Sequence, residues 1–139
     1  MSRIGMLSLV MALAGCLSVL SAQETKDPID KDLDACLNSP SGSSTAGQSH
    51  CAAKAYTAWD AELNSVYQKL MHKLDPASRN LLRSSQHDWL AFREAEKKFQ
   101  AAPWREKGGT LIGVSVNLDN VAAVRTRVQA LRTYAAVAK

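Results

Sequence analysis

The chain has few of the residues from which metal and nucleophilic sites are made. Its 139 residues include three histidines and three cysteines. Neither a C-x-x-C nor an H-x-x-x-H spacing occurs, so no metal-ligand set is recognisable. No Ser-His-Asp or Cys-His arrangement and no glycine-rich phosphate loop is apparent, which points away from an enzyme and from a bound cofactor. Asp60 and Glu62, like Glu94 and Glu96, stand two apart and would face different sides of a helix rather than form a carboxylate pair. The formal charge of +4 is too modest an excess to imply a nucleic-acid partner.

Long apolar runs are missing except at the start. Arg3 is followed by an almost uncharged stretch from Ile4 through Leu20, and the first acidic residue is Glu24. That pattern is a secretory signal over residues 1–22, and it lies at the short end for crossing a bilayer. Two cleavage points fit. Leu13-Ala14-Gly15-Cys16 resembles a bacterial lipobox, in which Cys16 is acylated and anchors the chain; cleavage after Ala22 releases a soluble protein instead. Only the acylated form would touch a membrane. The mature chain has 124 or 117 residues, enough for one domain.

Loss or acylation of Cys16 leaves Cys36 and Cys51 as an even pair in an oxidising compartment, where a disulfide is expected. It would close a small N-terminal loop and contribute on the order of 3 kcal/mol. Residues 23–35 form an acidic leader. Five acidic residues (Glu24, Asp27, Asp30, Asp32 and Asp34) stand against Lys26 and Lys31, and such a run reads as a solvated segment or as a contact for a cationic partner.

The remainder, residues 36–139, reads as all-α: an antiparallel helical hairpin plus a third C-terminal helix. From about Ser49 to Leu74, the residues Ala52, Tyr56, Trp59, Leu63, Val66 and Leu70 recur at steps of three and four and trace one buried face. Asp75-Pro76 ends this helix and opens the next, with Asp75 as N-cap and Pro76 at the first helical position. The second helix is predicted over Pro76 to Gln100 or Ala101, with Leu82, Ser85, Trp89, Phe92 and Phe99 inward, and Pro103 closes it. Gly108-Gly109 marks a turn. The run from Thr110 to Val116 fits a strand as well as a helix, and a third helix is expected from about Leu118.

Antiparallel geometry makes the polar residues of the hairpin comparable. Asp60, Asn64 and Tyr67 share one strip, while Gln86, Trp89 and Arg93 share another. Both strips lie at similar distances from the turn near position 75. An Asp60–Arg93 ion pair and amide or carbonyl hydrogen bonds around Asn64 and Gln86 are expected. These six residues read either as a lock fixing the register of two amphipathic arms or as a binding surface.

Cys51 followed by Asp60-x-x-Leu63-Asn64-x-x-Tyr67, then Gln86-x-x-Trp89-x-x-x-Arg93 and Gly108-Gly109-Thr110, resembles the LprI-type lysozyme-inhibitor domain over about residues 36 to 135. The motifs are specific in combination and order. The resemblance implies a small, largely helical, secreted domain of the bacterial envelope, with lysozyme or another envelope protein as partner. It also implies a further pair of cysteines, which this chain lacks. Lys97 takes the first place, and no cysteine stands near Leu118-Asp119.

Overall fold

The computed structural model describes residues 26–138. The export segment, Cys16 and both cleavage points lie outside the described residues. Four helices follow in order: α1 (Pro28–Leu37), α2 (Thr45–Lys73), α3 (Pro76–Gln100) and α4 (Gly109–Val137). Short 3-10 turns at Pro40–Ser43 and Pro103–Gly108 join α1 to α2 and α3 to α4. No strand occurs among the described residues. The fold is all-α, as the periodicity predicts.

Local chemistry starts each of the first three helices. Asp27 accepts from the Ile29 amide at 3.0 Å, and Ser44 accepts from the Gly47 amide at 3.0 Å. Asp75 accepts from the amides of Ala77 and Ser78 at 2.9 and 3.0 Å. Each side chain satisfies donors that the first helical turn leaves free. The Ser44 cap starts α2 at Thr45, four residues before the expected Ser49. Gly47 is required there, because a Cβ would lie 1.7 Å from the Ser41 carbonyl oxygen.

Two segments differ from the sequence expectation. α4 begins at Gly109 rather than near Leu118, so the ambiguous 110–117 run is helical. Val114 is buried and falls in phase with Val121, Val124, Val128 and Leu131, which carries the helical period backward through residues whose β-branched side chains favour strands. The acidic leader is not simply solvated. From Pro28 it folds as α1, and Asp30 is only 7% exposed.

The core lies between α2 and α4, whose backbones make the most extensive contact in the molecule. Trp59, Leu63 and Leu70 from α2 meet Val124, Val128 and Leu131 from α4, all almost fully buried. The Cys36–Cys51 disulfide, with Cα atoms 5.7 Å apart, ties the end of α1 to α2.

α3 stands further out. Leu82 is its one buried residue among those described, and Trp89 packs partly buried against the core. Phe92 and Phe99, expected inward, are 60% and 59% exposed, and Ser85 is exposed as well. The inner face runs through Leu82, Gln86, Trp89 and Arg93. Phe92 precedes Arg93 by one residue and is therefore turned by ~100° around the helix.

Ion pairs hold α1 on the bundle. Arg132 Nη1 lies 2.7 Å from Asp27 Oδ2, and Arg132 Nη2 lies 2.7 Å from Glu62 Oε1. Burial opposes ionisation of Asp27, but hydrogen bonds from Arg132 and the Ile29 amide outweigh it and hold the carboxyl below its ordinary value of 3.8. A carboxyl lowered in the folded state stabilises it fully above the unfolded pKa, and that stability is lost as pH falls through the folded value. Urea unfolding should therefore show stability declining below about pH 4. Arg132→Gln should cost about 1 kcal/mol at neutral pH and flatten the acid decline; an unchanged acid decline in the variant would contradict the pairing.

Candidate functional site

A groove of about 390 Å³ runs between α2 and α3, and Asp60, Asn64, Tyr67, Gln86 and Arg93 all line it. Five of the six residues singled out from the sequence therefore share one surface feature. Trp89 is the exception, lying beneath the groove against the core.

Arg93 is the centre of this arrangement. Its Nη1 lies 3.1 Å from Asp60 Oδ1, the pair expected from the register. The guanidinium carbon also lies 4.9 Å from the Trp89 ring centroid and 5.4 Å from that of Tyr56. Such cation–aromatic contacts contribute about 0.5–2 kcal/mol each, depending on desolvation. The pair is asymmetric: the Arg93 side chain is 12% exposed, whereas that of Asp60 is 39% exposed. A cation held deep and a carboxylate left at the rim lock the hairpin while keeping a negative group on its surface.

The amides do not pair across the hairpin. Gln86 Oε1 accepts from Arg127 Nε at 3.0 Å, so it is engaged by α4. Asn64 is exposed and makes no side-chain hydrogen bond among the described residues. The reason is competition: a charged guanidinium donor outbids a neutral amide, and α3 stands off from α2. Arg127 also donates to Ser85 Oγ at 3.1 Å and lies 5.9 Å from the Trp89 ring centroid.

Sequence reasoning missed the α4 arginines altogether. Arg125 and Arg132 are seven apart and share one face of α4, and they meet Asp30 and Asp27, which are three apart on α1. The matched spacings were the available signal. The cationic contact considered for the acidic run is supplied by this chain.

The far end of α3 presents an apolar surface. Phe92, Phe99, Trp104 and Leu111 are all exposed. The Phe99 and Trp104 rings stack with centroids 5.2 Å apart, and Trp104 Nε1 donates to the Phe99 carbonyl at 2.7 Å. These bonds fix the turn after α3 with its indole outward. Lys98, Arg105 and Lys107 flank it. On the side facing α2, Lys97 and Asn117 line one pocket, so the chain brings together the two regions where the resemblance implies the missing cysteines.

No group of three or more His, Cys, Asp and Glu side chains that could hold a metal occurs among the described residues. None of the described helices is long and apolar enough to cross a membrane. A small disulfide-tied helical domain with an open polar groove and a fixed apolar tip has the features of a binding module. The chain belongs to the LprI family: the family model described as lysozyme inhibitor LprI matches residues 36–134. It is also similar to an uncharacterised protein from Burkholderia thailandensis whose crystal structure is known, at 33% identity with a TM-score of 0.74. That match covers 80% of this chain and 54% of the other, so this chain spans about half the length of that protein. No curated protein matches it.

The hairpin lock is open to a double-mutant cycle. Asp60→Asn and Arg93→Gln should be non-additive in urea unfolding, with a coupling of about 1 kcal/mol. Independent effects would mean that the two side chains do not hold one another in solution.

Proposed function

We propose that this protein is an exported envelope protein that binds a lysozyme and inhibits it through the tip at the end of α3. The observation that carries this reading is the family match across residues 36–134, together with an aromatic turn that is fixed and exposed. Export is supported by the apolar run at the N-terminus and by the Cys36–Cys51 disulfide, with a chain that starts either at acylated Cys16 or at Gln23.

The mode of binding follows from charge. Lysozymes are commonly cationic, and this chain is basic, so global attraction is absent. Most of the acidic run does not supply it, because Asp27, Asp30 and Asp34 are paired with Arg132, Arg125 and Lys26. The cleft of a glycosidase is different, since two carboxylates flank the bond it cleaves. A turn carrying Trp104 with exposed Lys107 beside it suits insertion into such a cleft: the indole fills apolar space and the ammonium faces the carboxylates. Binding of this kind blocks substrate and involves no catalysis by the inhibitor.

The basic border of the tip also favours a second reading, in which the same surface docks on an acidic envelope protein and lysozyme is not its target. Lysis assays separate the two. The mature, oxidised protein should slow lysis of a peptidoglycan suspension by at least one lysozyme class. Trp104→Ala should weaken that inhibition about tenfold, equivalent to about 1.4 kcal/mol, with the helical fold retained. No slowing by a large molar excess against any class would overturn the inhibitory reading.

A further inference from the structure

Apart from the hairpin groove, a second concavity of about 250 Å³ opens between α2, the end of α3 and the start of α4. Its floor is Ala52, Ala53 and the ring of Tyr56, and Lys97, Asn117 and Asn120 form its polar wall. Ala52 is fully buried, so that part of the floor belongs to the core, whereas Ala53 is exposed. The volume is slightly below the usual range for drug-sized ligands, which suits a molecule of roughly five to ten heavy atoms.

The polar groups here are mostly donors, and several are unused. The Tyr56 hydroxyl is buried and has no hydrogen-bond partner. A buried donor without an acceptor costs about 1–3 kcal/mol, so this wall favours an incoming acceptor. Lys97 Nζ lies 5.7 Å from the Tyr56 ring centroid and 3.1 Å from Glu94 Oε1. Glu94 is 62% exposed, and such a surface pair is weak; it leaves further ammonium donors available. The hydrogen bond that Lys97 donates to Glu94, reinforced by Tyr56, outweighs burial and holds the Lys97 ammonium above its ordinary value. Asn120 Nδ2 donates to Gln100 Oε1 at 2.9 Å, which orients this amide and leaves its carbonyl oxygen as an acceptor.

From these groups we infer that the pocket binds a small carboxylate carrying a hydroxyl or N–H donor next to the carboxyl group. The carboxylate is recognised by Lys97, the Tyr56 hydroxyl and the Asn117 amide. Its neighbouring donor meets the Asn120 carbonyl oxygen, and a methyl-sized substituent rests on Ala53. Lys97 makes the site selective for an anion over its neutral amide. This inference does not rest on lysozyme inhibition.

Titration of the oxidised full chain with sodium lactate, followed by nitrogen–proton correlation spectra, tests it directly. Saturable shifts of the Asn117 and Asn120 side-chain amides are expected, with lactamide binding at least about tenfold more weakly, equivalent to about 1.4 kcal/mol. Lys97→Met should abolish saturation, whereas Lys98→Met should not. Asn117→Leu provides a second variant that removes one carboxylate donor without touching the Lys97–Glu94 pair, and it should weaken lactate binding severalfold. Shifts that grow linearly without saturation, equal binding of lactamide, or unaltered binding by folded Lys97→Met or Asn117→Leu would overturn the site.

Discussion

Burying a carboxylate costs several kcal/mol unless charged and hydrogen-bonding partners replace its water, and Asp30 is buried with such partners on two other helices. Trp59 Nε1 donates to its Oδ1 at 3.3 Å from α2, and Arg125 Nη1 lies 3.1 Å from its Oδ2 on α4. Trp59 is itself fully buried at the centre of the core. A single side chain of α1 therefore fixes that helix against both members of the main interface. The Arg132 contacts with Asp27 and Glu62 extend the same connection along α4. Each of these carboxylates meets a guanidinium.

This arrangement divides the bundle into a firm part and an outlying part. α1, α2 and α4 are joined by the Asp30 contacts, the disulfide ties α1 to α2, and most of the buried apolar side chains lie on α2 and α4. α3 is attached through Leu82, Trp89 and the clamped Arg93, which bridge to its neighbours by long side chains instead of close backbone packing. An outer helix of that kind retains exposed apolar residues on its flank, and its far end carries the aromatic turn. The proposed inhibitory tip thus sits at the end of the least embedded helix, as expected where contact with a partner demands accessible side chains.

Much of this architecture was legible in the chain because several signals agreed. The spacing of Ala52, Trp59, Leu63, Val66 and Leu70, the Asp75-Pro76 cap and the closing Pro103 place α2 and α3 closely, and the Cys36–Cys51 pair joins as expected. The Asp60–Arg93 contact followed from counting outward from the turn. What escaped were features set by tertiary contact. α1 is polar by composition, and only the arginines 95 or more residues downstream make its acidic side chains structural. The first turns of α4 are rich in β-branched residues, so helix and strand remained indistinguishable without the core that Val114 joins. On α3, Phe92 and Phe99 invite inward placement by hydrophobicity, but the inner face is occupied by Trp89 and by Arg93, whose charge is satisfied there. Gln86 turned toward Arg127 for a similar reason.

α1 is an integral part of the bundle, anchored by Asp30 in contact with Trp59 and Arg125. Native-state hydrogen exchange on the oxidised chain tests it most directly. The hydrogen-bonded amides of Lys31 and Asn38 and the Trp59 indole N–H should exchange slowly, in the same protection class as the core amides of Val124 and Val128. Exchange of the α1 amides within about tenfold of the free-chain rate, while α2 and α4 remain protected, would contradict it.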